Sequence, residues 1–340
     1  MITPTPTVIN KYQVIRPLGA GNFGQVFHVF DRALGTEKAI KVLLTTDPSK
    51  FMQNLQEAQI LNKCQHKHIV TINEANIFPV NGSQRVVLDL EYIAEGSLEA
   101  ALASRWVSLG ESIRYIRGAL HGLEHAHAQG FLHRDVKPGN ILLSPKIPKL
   151  SDFGLATDAG LSLIGSAKGY RPHLPPEYYS SACTTEQTDV FAVGITLFRA
   201  LSNIADWRAV ISAVPNLPQH LQAGTLIQRL GFEDFIPESL RRIVRKACNP
   251  DPTKRFPSAH AFGQRLDALR FNVDWIRLAD NEWEGSCANS KLHRCVANLA
   301  KREVIVYVKG RRVKAQCKTC ASLAETVAHM NAYVATTTLA

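Results

Sequence analysis

From Tyr12 to about Leu90 the chain alternates apolar and polar residues with period two, which puts successive side chains on opposite faces of a strand. The stretches "YQVIRPLG" and "GQVFHVFDR" do this around a glycine turn, and "EKAIKVLL" follows after "ALGT". "HIVTINEANIF" and "RVVLDLEYI" return to the same pattern further on. Between them, "KFMQNLQEAQILNKC" switches to a helical period, with Phe51, Leu55, Ala58 and Leu61 on one face of a helix beginning near Lys50. From Gly96 onward the pattern is mainly helical: "SLEAALASRW", "GESIRYIRGALHGLEHAHAQG", "TDVFAVGITLFRALS" and "PESLRRIVRKACN". Past about Arg270, "EWEGSCANSKLHRCVANLA" and "REVIVYVKGRRVKAQCK" again predict strands, and "SLAETVAHMNAYV" predicts a helix behind a serine N-cap.

The pattern predicts an α+β protein with a short N-terminal extension (1–11), a β-rich lobe (12–93) and an α-rich lobe (94–270). A small basic, cysteine-containing α+β domain (271–340) follows. At 340 residues, 45% hydrophobic and 20% charged, the chain has an ordinary globular balance that excludes wholesale disorder. No apolar run is long enough to span a bilayer, and "MITPTPTVIN" lacks the basic start and apolar core of a signal peptide. A cytoplasmic location is expected, and seven cysteines suit a compartment that keeps thiols reduced. The net charge of +10 favours anionic partners.

Candidate chemistry sharpens this. Gly19, Gly21 and Gly24 make a GxGxxG run between two strands, where bare backbone can approach phosphates. A dinucleotide-binding run would instead sit between a strand and a helix. Lys41 in "AIKV" is able to snorkel outward, and Glu57 to be a solvated helix charge; paired, they hold a lysine at nucleotide phosphates. In "HRDVKPGN", Asp135 is placed to orient an attacking hydroxyl, Lys137 to neutralise phosphoryl charge, and Asn140 to offer an amide oxygen to a cation. Asp152 in "SDFGLA" supplies a second ligand, and magnesium prefers such oxygen donors together with substrate phosphates.

Taken in order, these motifs resemble the catalytic domain of eukaryotic-type (Hanks-type) protein kinases over residues 12–270. The resemblance implies a bilobal kinase fold using ATP and Mg2+. "GAGNFGQV" is similar to the glycine-rich loop, with Leu18 beside it; "AIK" is similar to the strand lysine, and Glu57 to the helix glutamate. It further implies Leu90 as gatekeeper, Glu91 and Ile93 as backbone partners of adenine, and Val26, Ala39 and Leu142 around the ring. Asp189 is then the brace of the catalytic-loop backbone, and Glu177 with Arg255 a structural ion pair. Lysine two residues after Asp135 is the serine/threonine pattern. The implied function is transfer of the ATP γ-phosphoryl group to Ser or Thr hydroxyls of protein substrates, the enzyme itself included. Arg134 implies regulation by phosphorylation, with Thr157, Ser162 and Ser166 as the candidate sites. The alternatives are a small-molecule kinase and a nucleotide-binding signalling scaffold.

The chain departs from the family's G-T-x-x-Y-x-A-P-E in "GYRPHLPPE", where Tyr170, His173 and Pro175 replace the threonine, tyrosine and alanine. In the tail, Cys317 and Cys320 form a CxxC after His293 and Cys295, a set able to hold structural zinc. The spacing from Cys287 to Cys295 lacks the short pairing of zinc ribbons, so small core cysteines are the favoured reading. "KREVIVYVKGRRVKAQCK" carries seven Lys or Arg and one Glu, a surface for nucleic acid or, by preference, a solvated sheet face, with a substrate-docking or autoregulatory module equally open.

Overall fold

The first sheet is antiparallel, and local chemistry sets its turns. A computed structural model describes residues 1–21, 24–45, 47, 55–144, 147–154, 157–158, 171–181, 183–287 and 292–340. Strands β1 (Val8–Ile9), β2 (Tyr12–Ala20), β3 (Gly24–Asp31), β4 (Thr36–Leu43), β5 (Ile72–Val80) and β6 (Ser83–Leu90) form it in the order β1-β2-β3-β4-β6-β5. Between β3 and β4, Asp31 Oδ1 accepts the N–H groups of Ala33 and Leu34 at 2.9 and 3.2 Å, which closes the turn. Between β5 and β6, Asn81 and Gly82 both have positive φ, the two-residue hairpin an Asn-Gly pair favours. Helix α1 (Gln56–Lys63) lies against this sheet, where Ala58 packs with Leu43, Val86 and Leu88. Residues 48–54, where that helix was expected to start, lie outside the described residues.

The second lobe is helical. It contains α2 (Leu98–Ser104), α3 (Leu109–Ala128), α4 (Pro176–Ser181), α5 (Glu186–Leu201), α6 (Trp207–Ser212), α7 (Leu217–Ala223), α8 (Leu226–Leu230), α9 (Glu238–Ala247) and α10 (Ala259–Asp267). Short strand pairs join β7 (Phe131–Leu132) to β10 (Thr157–Asp158) and β8 (Ile141–Leu142) to β9 (Lys149–Leu150). Helix α3 starts with a capping box, Ser108 accepting from the Glu111 N–H while the Glu111 carboxylate accepts from the Ser108 N–H. Helix α5 is buried from Thr188 to Leu201, as an almost wholly apolar helix must be. Every feature fits a bilobal α+β arrangement, with a strand lobe before a helical one.

After α10 the chain forms a second antiparallel sheet from β11 (Asp274–Ala279), β12 (Glu282–Ser286), β13 (Leu292–Asn298), β14 (Glu303–Val308), β15 (Arg311–Arg312) and β16 (Lys318–Thr319). Helix α11 (Leu323–Thr338) packs on it, capped by Ser322 accepting from the Glu325 N–H. This unit shares one continuous core with the helical lobe. Trp283 lies 4.9 Å from Phe235 and meets Trp106 edge-on at 5.4 Å. Asp274 accepts from the Ser108 hydroxyl at 2.6 Å and the Gly110 N–H at 3.0 Å, fastening β11 to the start of α3. Gly110 leaves room for that contact: a β-carbon there would sit 2.7 Å from Asp274 Oδ2. Among the described residues no helix is long and apolar enough to cross a membrane.

Candidate active site

The polar loop between β7 and β8 is held from below by one carboxylate. Asp189, fully buried on α5, accepts the N–H groups of His133 and Arg134 at 2.9 and 2.7 Å. His127 Nε2 lies 2.9 Å from the same carboxylate. Burial opposes a charge on Asp189, but His127, then His133 and the Arg134 N–H, outweigh it and lower its pKa. Arg134 takes φ +67°, a conformation unusual for a side-chain-bearing residue, and the two bonds to Asp189 hold it there.

Asp135 follows that turn. Its Oδ2 accepts from Lys137 Nζ at 2.6 Å and from Asn140 Nδ2 at 3.1 Å. Asn140 Nδ2 also donates to the Asp135 carbonyl at 2.8 Å, which commits its nitrogen and turns the amide oxygen to other use. The Asn140 carbonyl accepts the Ser151 N–H at 2.9 Å, so the loop is tied to the next turn, where Asp152 has φ +63°. Phe153 is buried against the edge of the His133 ring at 4.6 Å, and His133 Nε2 contacts the Ser151 carbonyl at 3.0 Å.

Lys41 links the two lobes. Its ammonium donates to both Glu57 oxygens at 2.7 and 2.8 Å and to Asp152 Oδ1 at 2.7 Å. Burial disfavours the ammonium, yet the two carboxylates prevail and its pKa rises. For Glu57 burial prevails over Lys41 and raises the pKa; for Asp152 Lys41 prevails over burial and lowers it. Asp152 is 37% exposed where Glu57 is 6%, so of the two carboxylates on Lys41 it is the one open to the cleft.

The chemistry of the donor set fits a hard cation. Asp152 and the Asn140 amide oxygen are oxygen ligands, and magnesium needs few protein ligands because substrate phosphates and water complete its shell. Among the described residues no three His, Cys, Asp or Glu side chains gather into a metal group of their own. In the tail, Cys295 and Cys320 are buried and the Cys317 thiol donates to the Val313 carbonyl at 3.3 Å.

The other predicted residues lie on β2, β3, β4, β6 and β8 and on the connection between the lobes. Ala39 on β4 pairs with Leu90 on β6, and Val26 on β3 pairs with Lys41. Gly19 pairs with Val26, and the Gly21 N–H donates to the Gly24 carbonyl at 2.9 Å, with Leu18 nearby at the surface. Glu91 begins the connection between lobes: its N–H donates to Thr71, and its carboxylate accepts from Lys149 at 2.6 Å. Ile93 follows, and Leu142 bridges to Ser97. The backbone of Thr157 lies in β10, whereas Ser162, Ser166 and Tyr170 lie outside the described residues. Glu177 and Arg255 form a two-pronged pair at 2.7 and 2.8 Å.

The sequence reading passed over His127 and a histidine cluster, and took His173 only as a departure from the family pattern. His127 supports Asp189, and His173 contacts the catalytic loop at the Val136 carbonyl, 3.0 Å away. His66, His68, His121 and His125 gather with ring centres 4.9 to 5.5 Å apart, where α3 meets the connection after α1. The four-residue spacing of His121 and His125 on a helix was the available signal for that cluster.

Comparison with known proteins agrees with this geometry. The protein kinase domain model matches residues 12–265. Serine/threonine-protein kinase PknJ of Mycobacterium tuberculosis is 28% identical over 279 residues, covering 78% of this chain and 46% of that protein. PrkC of Bacillus subtilis is 28% identical over 288 residues, covering 78% and 43%. Serine/threonine-protein kinase ssp1 of Schizosaccharomyces pombe is 33% identical over 301 residues, covering 80% and 45%. The chain spans about half the length of these relatives. Enzymes of this family use ATP with magnesium. With a family model that spans most of its length and a cleft built from the matching residues, the chain belongs to the protein kinase domain family.

Proposed function

We propose that this protein transfers the γ-phosphoryl group of ATP to serine or threonine hydroxyls of protein substrates, itself among them. The observation that carries the reading is Lys41 held between Glu57 and Asp152, within the cleft that also contains Asp135, Lys137 and Asn140. Lys41 binds the nucleotide phosphates, and Glu57 keeps its ammonium in place. The Glu91 carbonyl and the Ile93 N–H serve adenine, with Val26, Ala39, Leu90 and Leu142 enclosing the ring. Leu18, Gly19, Gly21 and Gly24 cover the phosphates.

Asp135 orients the acceptor hydroxyl and receives its proton; Lys137, 2.6 Å from that carboxylate, steadies the charge that develops on the phosphoryl oxygens. Asp152 and Asn140 hold magnesium, which when bound screens the phosphate charge. The rate gain in this scheme is mostly positioning and electrostatic preorganisation. Thr157, Ser162 and Ser166 are the modification sites, with Arg134 as their counter-charge.

Residues 12–270 are the kinase domain, 1–11 an extension, and 271–340 an accessory domain. Lys309, Arg311 and Lys314, exposed around the β14–β15 turn, give that domain a surface for anionic partners such as nucleic acid. Asp152→Ala should abolish transfer from γ-labelled ATP with magnesium while the protein stays folded. Retained labelling would overturn the reading.

A further inference from the structure

Three interactions fix the backbone around Asp135. Asp189 takes the N–H groups of His133 and Arg134, and Asn140 takes the Asp135 carbonyl. The next carbonyl, that of Val136, lies 3.0 Å from His173 Nδ1 and 3.4 Å from the Thr196 hydroxyl. The Thr196 hydroxyl already donates to the Ala192 carbonyl at 2.8 Å, which leaves the imidazole as the main donor to Val136.

His173 is 3% exposed, and its ring stands edge-on to Trp207 at 6.2 Å. Burial, then the nearby Arg199, lower its pKa well below the ordinary value, so the ring is neutral at working pH. A neutral imidazole carries one N–H, and a bond to a carbonyl puts that proton on Nδ1. Its segment runs into α4, where Glu177 is clamped by Arg255. His173 thus ties this segment to the residue standing between Asp135 and Lys137.

We infer that His173 is a positioning residue for phosphoryl transfer: its bond to the Val136 carbonyl holds the Asp135–Lys137 backbone in register with the segment before α4. This rests on the kinase reading given above. The effect is indirect, since the ring touches no reacting atom. It has leverage because displacing a catalytic group by about 1 Å can lower a rate by roughly a hundredfold. The tyrosine that the family places here carries its donor at the far end of a larger ring, so it does not substitute for Nδ1 at this carbonyl.

Two variants separate position from packing. His173→Phe keeps an aromatic ring against Trp207 and loses the donor; His173→Asn loses ring volume but keeps a donor, its Nδ2, close to where Nδ1 lies. With Mg-ATP and a protein substrate, the Phe variant should lose roughly tenfold to a hundredfold in kcat with KM for ATP unchanged. The Asn variant should recover most of that loss. Equal impairment of both, or a fully active Phe variant, overturns the inference. Wild type that transfers no phosphate at all sinks the kinase reading instead. In that event, faster exchange of the Lys137 amide in the Phe variant but not the Asn variant still supports the hold on the loop, and exchange unchanged in both overturns it.

Discussion

The molecule builds a six-stranded antiparallel sheet with a helix against it twice, once before the helical lobe and once after it. The difference lies in what each helix and sheet bury between them. In the first, α1 brings Glu57 to Lys41, and both ends of that ion pair are buried. In the second, α11 buries Met330 and Val334 over a sheet whose inner face carries Trp275, Trp283, Cys295, Val304 and Val306. Apart from Asp274, which is tied to Ser108 and Gly110, the second unit pairs its charges at the surface, as Arg294 does with Glu282 at 2.6 Å and Arg312 with Glu303. A buried charge needs partners that repay its desolvation, so a sheet holding one is committed to a particular arrangement of those partners. A sheet with an apolar interior is committed only to shape and volume. The same architecture is a catalytic lobe in one place and a packed brace in the other.

That contrast is testable by substituting the key side chain of each sheet. Glu57→Gln leaves the Lys41 ammonium to Asp152 alone and removes the charge that fixes it. Transfer activity should fall roughly a hundredfold, measured as kcat/KM for ATP. Trp283→Ala empties the contact with Trp106 and Phe235 and should lower unfolding free energy by about 3–5 kcal/mol in denaturant titration. Its kcat per folded molecule should match wild type. A Trp283→Ala enzyme that stays stable but loses kcat would erase the distinction between the two units.

A smaller effect concerns thiols. Burial, with Cys317 adding to it, pushes the Cys295 thiol up to about 12, so little of it is thiolate at neutral pH. Alkylation of the folded protein, read by peptide mass spectrometry, should leave Cys295 unmodified and label it only after unfolding. Rapid labelling in the folded state would show that the second sheet has a reactive interior.

Much of the site was legible because its residues are ordered and spaced along the chain. Lys41, Glu57, Asp135, Asn140 and Asp152 stand in sequence as the cleft uses them, and the flanking strands were marked by plain alternation. What escaped is contact at long sequence range. Ser108 and Asp274 are 166 positions apart, and Val136 and His173 37, and no periodicity links either pair. Strand β11 was also passed over. Its outward Ile276 and Leu278 are 45% and 56% exposed, so an apolar run hides which face is buried. The short helices from Trp207 to Leu230 lack the length that makes a helical period visible. The sequence signal for zinc was a CxxC. In the fold Cys320 is buried and Cys317 is bonded to backbone.

The central claim is that Asp135 carries out phosphoryl transfer to a hydroxyl. Its most direct measurement compares wild type with Asp135→Asn, each incubated with γ-labelled ATP and magnesium and mapped for phosphoserine and phosphothreonine. The account predicts labelled Ser or Thr in wild type and a loss of about a thousandfold in the variant, with nucleotide binding retained. Labelling of the variant at the wild-type rate would contradict it.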